Sequence, residues 1–409
     1  MTTEIDAVTI KSAPAAKVSE IWLMAVLGTL LAFASISTDL YLPAMPGMSA
    51  ALQTSEGSLQ YTVSGYLIGF SLGQLFWGPV GDRFGRRGPV AVGLVLFMAG
   101  CAGCALSTNV IQLISFRVLQ AVGACASVVL ARAMVRDLYD RDRAAKVLST
   151  LMTVMAIAPL LGPSVGGLIL RVGPWQAIFW SLVGIGFVTL IALFTIPETL
   201  PTDRRKAEKL SGAFVAYANL IRDVRLLGYA GAVGFFYAGV FAGISSASFA
   251  YIDYHHLSPQ LYGIAFAVGT IGLMATNFAN SRLVGRFGSD RMLKAGAIGA
   301  ALTGVNLAFV TATDCGGVFG MAASLWAFTA MNGFVTANAI SGALANFPTR
   351  AGAASALMGA IQYGSGVIGS AVAGTMADGT PWPMGAVIAV AGVGSAACHL
   401  LLGRFRPYR

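Results

Sequence analysis

The chain has 409 residues, of which 56% are hydrophobic and only 11% are charged. Soluble proteins carry about 25% charged residues, so this composition excludes an ordinary soluble domain and indicates a membrane protein. The formal net charge of +9 would suit a polyanionic partner only if the basic residues were gathered in one place, and they are spread over many short segments.

The first 20 residues are polar and lack an apolar core, which predicts a tail over 1–20 and not a cleavable signal peptide. Most of the uncharged stretches that follow exceed the roughly 20 residues that a helix needs to cross a bilayer. They are 21–38, 57–81, 88–116, 118–131, 147–170, 172–197, 226–252, 254–281, 295–313, 315–349, 351–377 and 379–403. With Asp39 placed in span 1 and Arg117 in span 4, they predict twelve spans, all helical because lipid cannot satisfy backbone polar groups.

The longest hydrophilic stretch separates span 6 from span 7. We predict a linker over 198–225, six-span bundles over 21–197 and 226–403, and a short tail over 404–409. The segment "GPVGDRFGRR" after span 2 is echoed by "SRLVGRFGSD" after span 8, which indicates an ancient duplication. Repeated halves are typical of transporters that rock about a midplane site.

The basic residues indicate the orientation of the spans. If the amino terminus is cytoplasmic, every Lys and Arg except Arg117 and Arg171 falls in a cytoplasmic segment. This distribution follows the positive-inside rule and predicts that both termini are cytoplasmic. The positive charge then reflects the orientation of the spans in the membrane, and we expect no nucleic-acid partner.

Asp39 and Arg117 are charges within predicted spans. A charge near the bilayer centre costs at least about 2.5 to 3.5 kcal/mol, so each requires an explanation. Asp39 comes shortly before Pro43 at the outer end of span 1, and Arg117 follows Asn109 in span 4. At 1.5 Å per residue their depths are about 6 and 12 Å, so we expect them to meet in one cavity.

An acid beside a cation in a desolvated cavity can be held ready to gain or lose a proton. Ser35 lies one turn from Asp39 and Gln120 one turn from Arg117, so both should face the same cavity. Tyr66 of span 2 is a further candidate. A purely structural ion pair, with Ser35 and Gln120 as interhelical hydrogen-bonding groups, is the alternative.

The segment "GPVGDRFGRR" has two interpretations. Its three arginines could act only as a topology signal. As a gate, Asp82 could lie against the positive amino-terminal end of a neighbouring helix, and Arg86 could pair with Asp137. The candidate gate residues are Gly78, Asp82, Arg83, Gly85, Arg86, Arg87 and Asp137.

The segment "APLLGPSVGG" should give span 5 a bend and a flat face. Prolines remove backbone donors, and the small side chains of Gly162, Gly166 and Gly167 around Pro163 permit close packing against another helix. Packing against the other half is the direct interpretation.

These motifs together resemble those of the major facilitator superfamily. "GPVGDRFGRR" fits the superfamily pattern G-x-x-x-D-[RK]-x-G-[RK]-[RK] between spans 2 and 3, and "FRVLQAVGACA" is similar to its span 4 pattern, although Ala121 replaces the usual glycine. "LGPSVGG" resembles its antiporter motif. "TDLYLPAMP" resembles the end of span 1 in the Bcr/CflA subfamily of drug:proton antiporters.

The resemblance implies an all-α major facilitator fold with two pseudo-symmetric six-helix bundles. It also implies that Asp39 is the proton-coupling acid and Arg117 its counter-ion. By the same resemblance, Asp82 should meet the start of span 11, and the bend in span 5 should seal the cavity against proton leak.

We therefore predict a proton-coupled antiporter of the bacterial inner membrane that exports small lipophilic drugs. Expected substrates are chloramphenicol-like or bicyclomycin-like compounds, or lipophilic cations, handled by a monomer without cofactor or metal. A proton-coupled metabolite or sugar carrier of the same fold is the first alternative. A channel is another, and a membrane enzyme is disfavoured because three histidines and one buried acid form no catalytic cluster.

Overall fold

The computed structural model describes residues 19–140, 143–144, 146–148, 150–151, 157–205, 210–345, 347 and 350–402. Nearly all of the predicted tail over 1–20, all of the tail over 404–409 and part of the linker lie outside these residues. The helices of the first half are α1 Glu20–Asp39, α2 Met45–Ala51, α3 Glu56–Phe84, α4 Arg87–Ala105, α5 Val110–Leu138, α6 Ile157–Val172 and α7 Gln176–Phe194. A 3₁₀ turn, Leu42–Ala44, joins α1 to α2.

The linker contains one short helix, and the second half repeats the helical plan of the first. The helices are α8 Leu210–Leu220, α9 Val224–Ser248, α10 Pro259–Phe287, α11 Ser289–Thr313, α12 Gly317–Ala330, α13 Asn332–Ala345, α14 Ala351–Thr375 and α15 Trp382–Leu402. A π-helical segment, Phe249–Tyr254, continues α9.

Ten helical segments of the described chain are long and apolar enough to cross a membrane. Helices α3 and α6 complete the twelve predicted spans. Helix α3 is long enough but less apolar, because Gln60, Ser64 and Gln74 lie on it; all three are buried against other helices and do not face lipid. The predicted all-α fold is therefore confirmed.

The two ends of the helical bundle differ in charge. We call the end that carries the α3–α4 turn, residues 84–87, the basic end, and the other the opposite end. Near the basic end, Trp22 of α1 donates a hydrogen bond from Nε1 to Thr195 Oγ1 at 2.7 Å, and Arg87 donates to the Phe194 carbonyl at 3.3 Å. These contacts hold the start of α1, the start of α4 and the end of α7 together.

The two halves meet along α3 and α14 and between α6 and α10. Ser64 Oγ lies 2.7 Å from Ser370 Oγ, and Ser71 donates to the Ala360 carbonyl at 2.8 Å. Towards the opposite end, Gln260 Nε2 donates to the Gly167 carbonyl at 2.9 Å. Small residues allow helix backbones to approach closely, which explains why serine and glycine dominate these contacts.

Span 10 differs from its prediction. The uncharged stretch 315–349 suggested one continuous helix, but α12 ends at Ala330 and α13 begins at Asn332. The Thr276 hydroxyl of α10 donates to the Ala330 carbonyl at this interruption. A hydrophobicity pattern cannot reveal the break, because the whole segment Gly317–Ala345 is apolar enough to be taken for one span.

Candidate functional site: a central cavity and its flanking gates

A cavity of about 270 Å³ lies between the two halves. Its lining comes from α1, α3 and α6 of the first half and from α9, α10, α12, α13 and α14 of the second, and it is mostly aromatic and aliphatic. Among the described residues that line it, Asp39 is the one with a charged side chain. Ligand sites in proteins are typically apolar clefts with a few polar groups of this kind.

Asp39 is the last residue of α1 and is only 5% exposed. Its Oδ1 accepts a hydrogen bond from Thr38 Oγ1 at 3.1 Å. Gly162 of α6 packs against its Cβ, where a side chain on residue 162 could not fit. Ser35, one turn earlier, lines the same cavity as predicted.

Arg117 is completely buried but does not line the cavity. Its Nη1 donates to the Ser37 carbonyl at 2.9 Å and to Gln120 Oε1 at 2.6 Å. The rings of Tyr41 and Tyr66 cover the guanidinium, with centroids 4.2 and 4.5 Å from Cζ. Because the last carbonyls of a helix carry partial negative charge, Arg117 acts as a charged cap on the end of α1.

The prediction that Asp39 and Arg117 meet as an ion pair in one cavity is wrong for this conformation. No N–O distance of 4.0 Å or less joins the two side chains, and the ion pairs among the described residues lie elsewhere. The physical reason is that the Ser37 carbonyl and two tyrosine rings already surround the guanidinium. A peptide carbonyl and an aromatic face are both good partners for a desolvated cation.

Tyr66 separates Arg117 from the cavity and contacts both. One side of the residue lines the cavity, as predicted, while its ring stacks on Arg117 and its hydroxyl lies 2.9 Å from Ser37 Oγ. Gln120 was also expected in the cavity, but it is fully buried behind this layer and donates to Cys101 Sγ at 3.0 Å. The interhelical alternative is therefore the correct one for Gln120.

At the basic end, Arg86 connects three elements. Its Nε donates to Asp137 Oδ2 of α5 at 2.7 Å, the pair that the sequence predicted, and its Nη1 donates to Asp82 Oδ1 of α3 at 2.8 Å. Burial of the guanidinium opposes its charge, but the hydrogen bonds and charges of Asp137 and Asp82 more than offset this and raise the pKa of Arg86. The residue therefore stays charged at any physiological pH.

Glu198, in the "PET" segment after α7, completes this network and was missed by the sequence analysis. Its Oε1 accepts the backbone N–H of Arg86 at 2.8 Å and its Oε2 that of Arg87 at 3.1 Å. These are donors at the start of α4, where helices leave N–H groups unsatisfied and favour negative charge. The three-residue segment has no periodicity or charge cluster that would have singled it out.

Gly85 has a backbone that other residues rarely adopt, with φ +94°, and a Cβ would lie 2.8 Å from Glu198 Oε2. We expect Gly85→Ala to destabilise the protein by about 2 kcal/mol, since backbone strain of this type costs about 1 to 3 kcal/mol. Gly288 is its repeat counterpart, with φ +81° but open space around it, so Gly288→Ala should cost less. Gly88→Ala, with neither constraint, is the matched control. Thermal unfolding of the three purified variants measures this order; equal midpoints would contradict it.

A second cavity, of about 770 Å³, lies between the halves at the basic end. Asp82, Gly78 and Arg83 line it, as do Arg350, which precedes α14, and Gly352 in the first turn of that helix. Asp82 Oδ1 forms an ion pair with Arg86. The predicted contact of Asp82 with the start of span 11 remains a prediction. Arg87 points away from this cavity and lies over the Phe194 ring at 4.7 Å.

Helix α6 packs with its glycines against both halves. A Cβ on Gly166 would lie 2.0 Å from the Leu40 carbonyl oxygen, and one on Gly167 would lie 3.1 Å from the Pro259 carbonyl oxygen of α10. Pro163 lies within the helix. The flat face predicted from "GPSVGG" is thus present, and it packs α6 against the end of α1 and the start of α10.

We expect Gly167→Ala to disfavour this close packing of α6 on α10 at the opposite end, because the added methyl group would crowd the Pro259 carbonyl oxygen, 3.1 Å away. Gly184→Ala in α7, where nothing lies within 4 Å, is the control. Spin labels near the ends of α6 and α10 should show a longer distance in Gly167→Ala than in wild type. An unchanged distance distribution would show that the glycine face is not required for closure.

The sequence profile of the Major Facilitator Superfamily matches residues 26–370. The chain belongs to the major facilitator superfamily. Membership of this transport superfamily makes it a membrane carrier and not an enzyme, in agreement with the prediction from the sequence.

Two relatives specify its position within the superfamily. The chain is 31% identical over 360 residues to a bicyclomycin resistance protein homolog of Haemophilus influenzae, covering 88% of this chain and 90% of the relative. It is 30% identical over 369 residues to a chloramphenicol resistance protein of Pseudomonas aeruginosa, covering 86% and 83%. These relatives place the chain in the Bcr/CflA subfamily, as the motifs predicted.

A solved structure supports the fold independently. The xylose transporter XylE from E. coli, in a partially occluded inward-open conformation, superposes with a TM-score of 0.73 at 18% identity, covering 95% of this chain and 97% of XylE. Identity at this level shows the shared major facilitator fold alone.

Proposed function

We propose that this major facilitator protein is a drug:proton antiporter of the bacterial inner membrane that exports small lipophilic antibacterial compounds. The basic end faces the cytoplasm in this proposal, in accordance with the positive-inside rule. Chloramphenicol-like and bicyclomycin-like compounds are the preferred substrates, because the two relatives carry those names, and lipophilic cations are further candidates.

One observation carries the proposal. Asp39 is the one charged side chain among the described residues of a largely aromatic cavity that both halves share. Charged groups inside membrane proteins are costly, and they commonly mark proton or substrate pathways. A single carboxyl group surrounded by aromatic walls can bind either a proton or the polar end of a lipophilic molecule.

The different arrangements at the two ends of the bundle support alternating access. The halves contact each other through α6 and α10 towards the opposite end, while a cavity of about 770 Å³ separates them at the basic end. A molecule from the cytoplasm would enter through this cavity, displace the proton from Asp39 and leave once the halves have rocked. The ion pairs of Arg86 would fasten the α3–α4 turn to α5 during that movement.

Arg117 has a different role in this proposal from that of a counter-ion. It holds the end of α1, and therefore the backbone next to Asp39, through the Ser37 carbonyl. Tyr66 contacts both Arg117 and the cavity. A ligand that displaces Tyr66 would thus alter the support of the helix end that carries the acid.

Sugar or metabolite uptake is the competing function, and the cavity argues against it. A sugar site requires many polar side chains to match the hydroxyl groups of the ligand, whereas this lining is mostly apolar. The similarity to XylE concerns the fold alone.

Proton flux in everted membrane vesicles tests the proposal. Respiring vesicles acidify their lumen, and added chloramphenicol should raise the luminal pH as drug enters in exchange for protons. Vesicles without the protein are the control. If the vesicles accumulated no drug and released no protons at any chloramphenicol concentration, the proposed function would be contradicted. A proton signal produced by xylose and not by chloramphenicol would contradict it as well.

A further inference from the structure

The break in span 10 is a built feature of the cavity wall. Met331 separates α12 from α13, and the N–H groups of Phe334 and Val335 both donate to the Met331 carbonyl at 3.0 Å. Irregular backbone at membrane depth occurs only where protein buries it or where it lines a cavity. In transporters, interrupted helices of this type commonly border the binding site.

Contacts from α10 fix the break in place. The Thr276 hydroxyl donates to the Ala330 carbonyl, which satisfies an acceptor that the interrupted helix leaves open. A Cβ on Gly333 would lie 2.5 Å from the backbone nitrogen of Asn277, so only glycine allows this approach. The position of the break is therefore determined by tertiary packing.

Asn332 is the first residue of α13 and lines the cavity, together with Trp326 and Thr329. Its Oδ1 accepts a hydrogen bond from Thr336 Oγ1, which fixes the orientation of the amide. Within the part of the chain that the structure describes, no hydrogen bond uses its Nδ2. The hydroxyl of Thr329, by contrast, is engaged by carbonyls of its own helix.

We propose that Asn332 is a ligand-binding and specificity-determining residue of the second half, and that its Nδ2 donates to an acceptor oxygen of the substrate. The inference rests on the proposed function and specifies its substrate class. The preferred ligand is a lipophilic molecule with a polar group for Asp39 and a carbonyl, nitro or hydroxyl oxygen for Asn332. The aromatic walls, which include Trp326, bind the apolar part.

The selectivity follows from the cost of an unpaired polar group. A site built to donate a hydrogen bond discriminates against ligands that lack the acceptor, because its donor then remains unpaired on closure. Ligands without any acceptor oxygen gain nothing from Asn332 and depend on the aromatic walls and on Asp39 alone.

Binding of two probes to purified protein tests the inference. Chloramphenicol carries amide, hydroxyl and nitro oxygens, whereas tetraphenylphosphonium is a lipophilic cation with no hydrogen-bonding group. In Asn332→Ala, the Kd for chloramphenicol should rise about 10-fold, the loss expected for one buried hydrogen bond, while the Kd for tetraphenylphosphonium should not change. Asn277→Ala, an amide of α10 outside the cavity lining, should leave both affinities unchanged.

A second variant keeps the test valid if Asn332→Ala folds poorly. Thr336→Val keeps the shape of residue 336 but releases the amide of Asn332, and it should weaken chloramphenicol binding by a smaller factor. Equal weakening of both probes, or unchanged chloramphenicol affinity in both variants, would overturn the inference. Binding is measured without a proton gradient, so a negative binding result would not contradict proton-driven export. A failure of export would likewise not contradict the binding comparison.

Discussion

Vesicles that contain Asp39→Asn will accumulate no drug in response to a proton gradient, while the variant protein folds and inserts normally. Asparagine has nearly the same shape as aspartic acid and can keep the contacts with Thr38 and Gly162. It cannot take up or release a proton, so the coupling step is lost. Drug transport driven by the proton gradient should fall to the level of vesicles without the protein.

A carboxylate outside the central cavity provides the control for Asp39. Asp378 is exposed in the loop before α15, where it accepts hydrogen bonds from Thr380. Asp378→Asn should transport at the wild-type rate. If the Asp39 variant kept proton-driven accumulation, the assignment of Asp39 as the coupling acid would be wrong.

Arg117→Lys should destabilise the protein by about 3 kcal/mol and abolish most of its transport. Lysine keeps the charge but has no planar group to lie between the rings of Tyr41 and Tyr66, and each desolvated cation–π contact is worth about 2 kcal/mol. The two hydrogen bonds from Nη1 to Ser37 and Gln120 would also lose the fixed planar geometry of the guanidinium. Unfolding in detergent measures the loss of stability, and drug uptake by vesicles measures the loss of function.

The same substitution distinguishes the capping role of Arg117 from that of a simple counter-ion. A counter-ion requires positive charge, which lysine supplies, whereas the cap requires the shape of the guanidinium. Arg171, exposed at the end of α6, serves as the control, and Arg171→Lys should be neutral. An Arg117→Lys variant with wild-type stability and transport would restore the counter-ion interpretation.

The fold could be predicted from the sequence because the bilayer imposes a strong pattern. Spans of apolar residues are interrupted by basic loops, and the repeat of "RFG" at 83–85 and 286–288 relates the halves. The break at Met331 could not be predicted, because it depends on Thr276 and Gly333 meeting across two helices. Such contacts have no signature within either segment alone.

Part of the candidate site could be predicted from the sequence. Asp39 stood out because charge is rare in a span, Arg86 because it belongs to a dense motif, and Asp137 because it lies at the end of span 4. The partners of Arg117 were misjudged because depth along a helix does not determine which way a side chain points. Charge alone favours a carboxylate as the partner of Arg117, while the structure supplies a helix end and two tyrosine rings.

Arg117 also links the cavity to the position of α1. Tyr66 lies against the guanidinium and also lines the cavity, so a ligand in the cavity would contact the layer that supports the end of α1. In the proposed mechanism, binding of cargo and movement of the helix that carries Asp39 are connected through the side chains of Tyr66 and Arg117 and the backbone carbonyl of Ser37.

Proton release upon drug binding tests the central claim, that cargo and proton compete at Asp39, most directly. Purified protein in weakly buffered solution with a pH indicator is mixed with chloramphenicol, which carries no ionisable group near neutral pH. The wild type should release protons in proportion to bound drug, and Asp39→Asn should bind drug without releasing any. Equal proton release from both proteins, or none from the wild type at any pH at which it binds drug, would contradict the account.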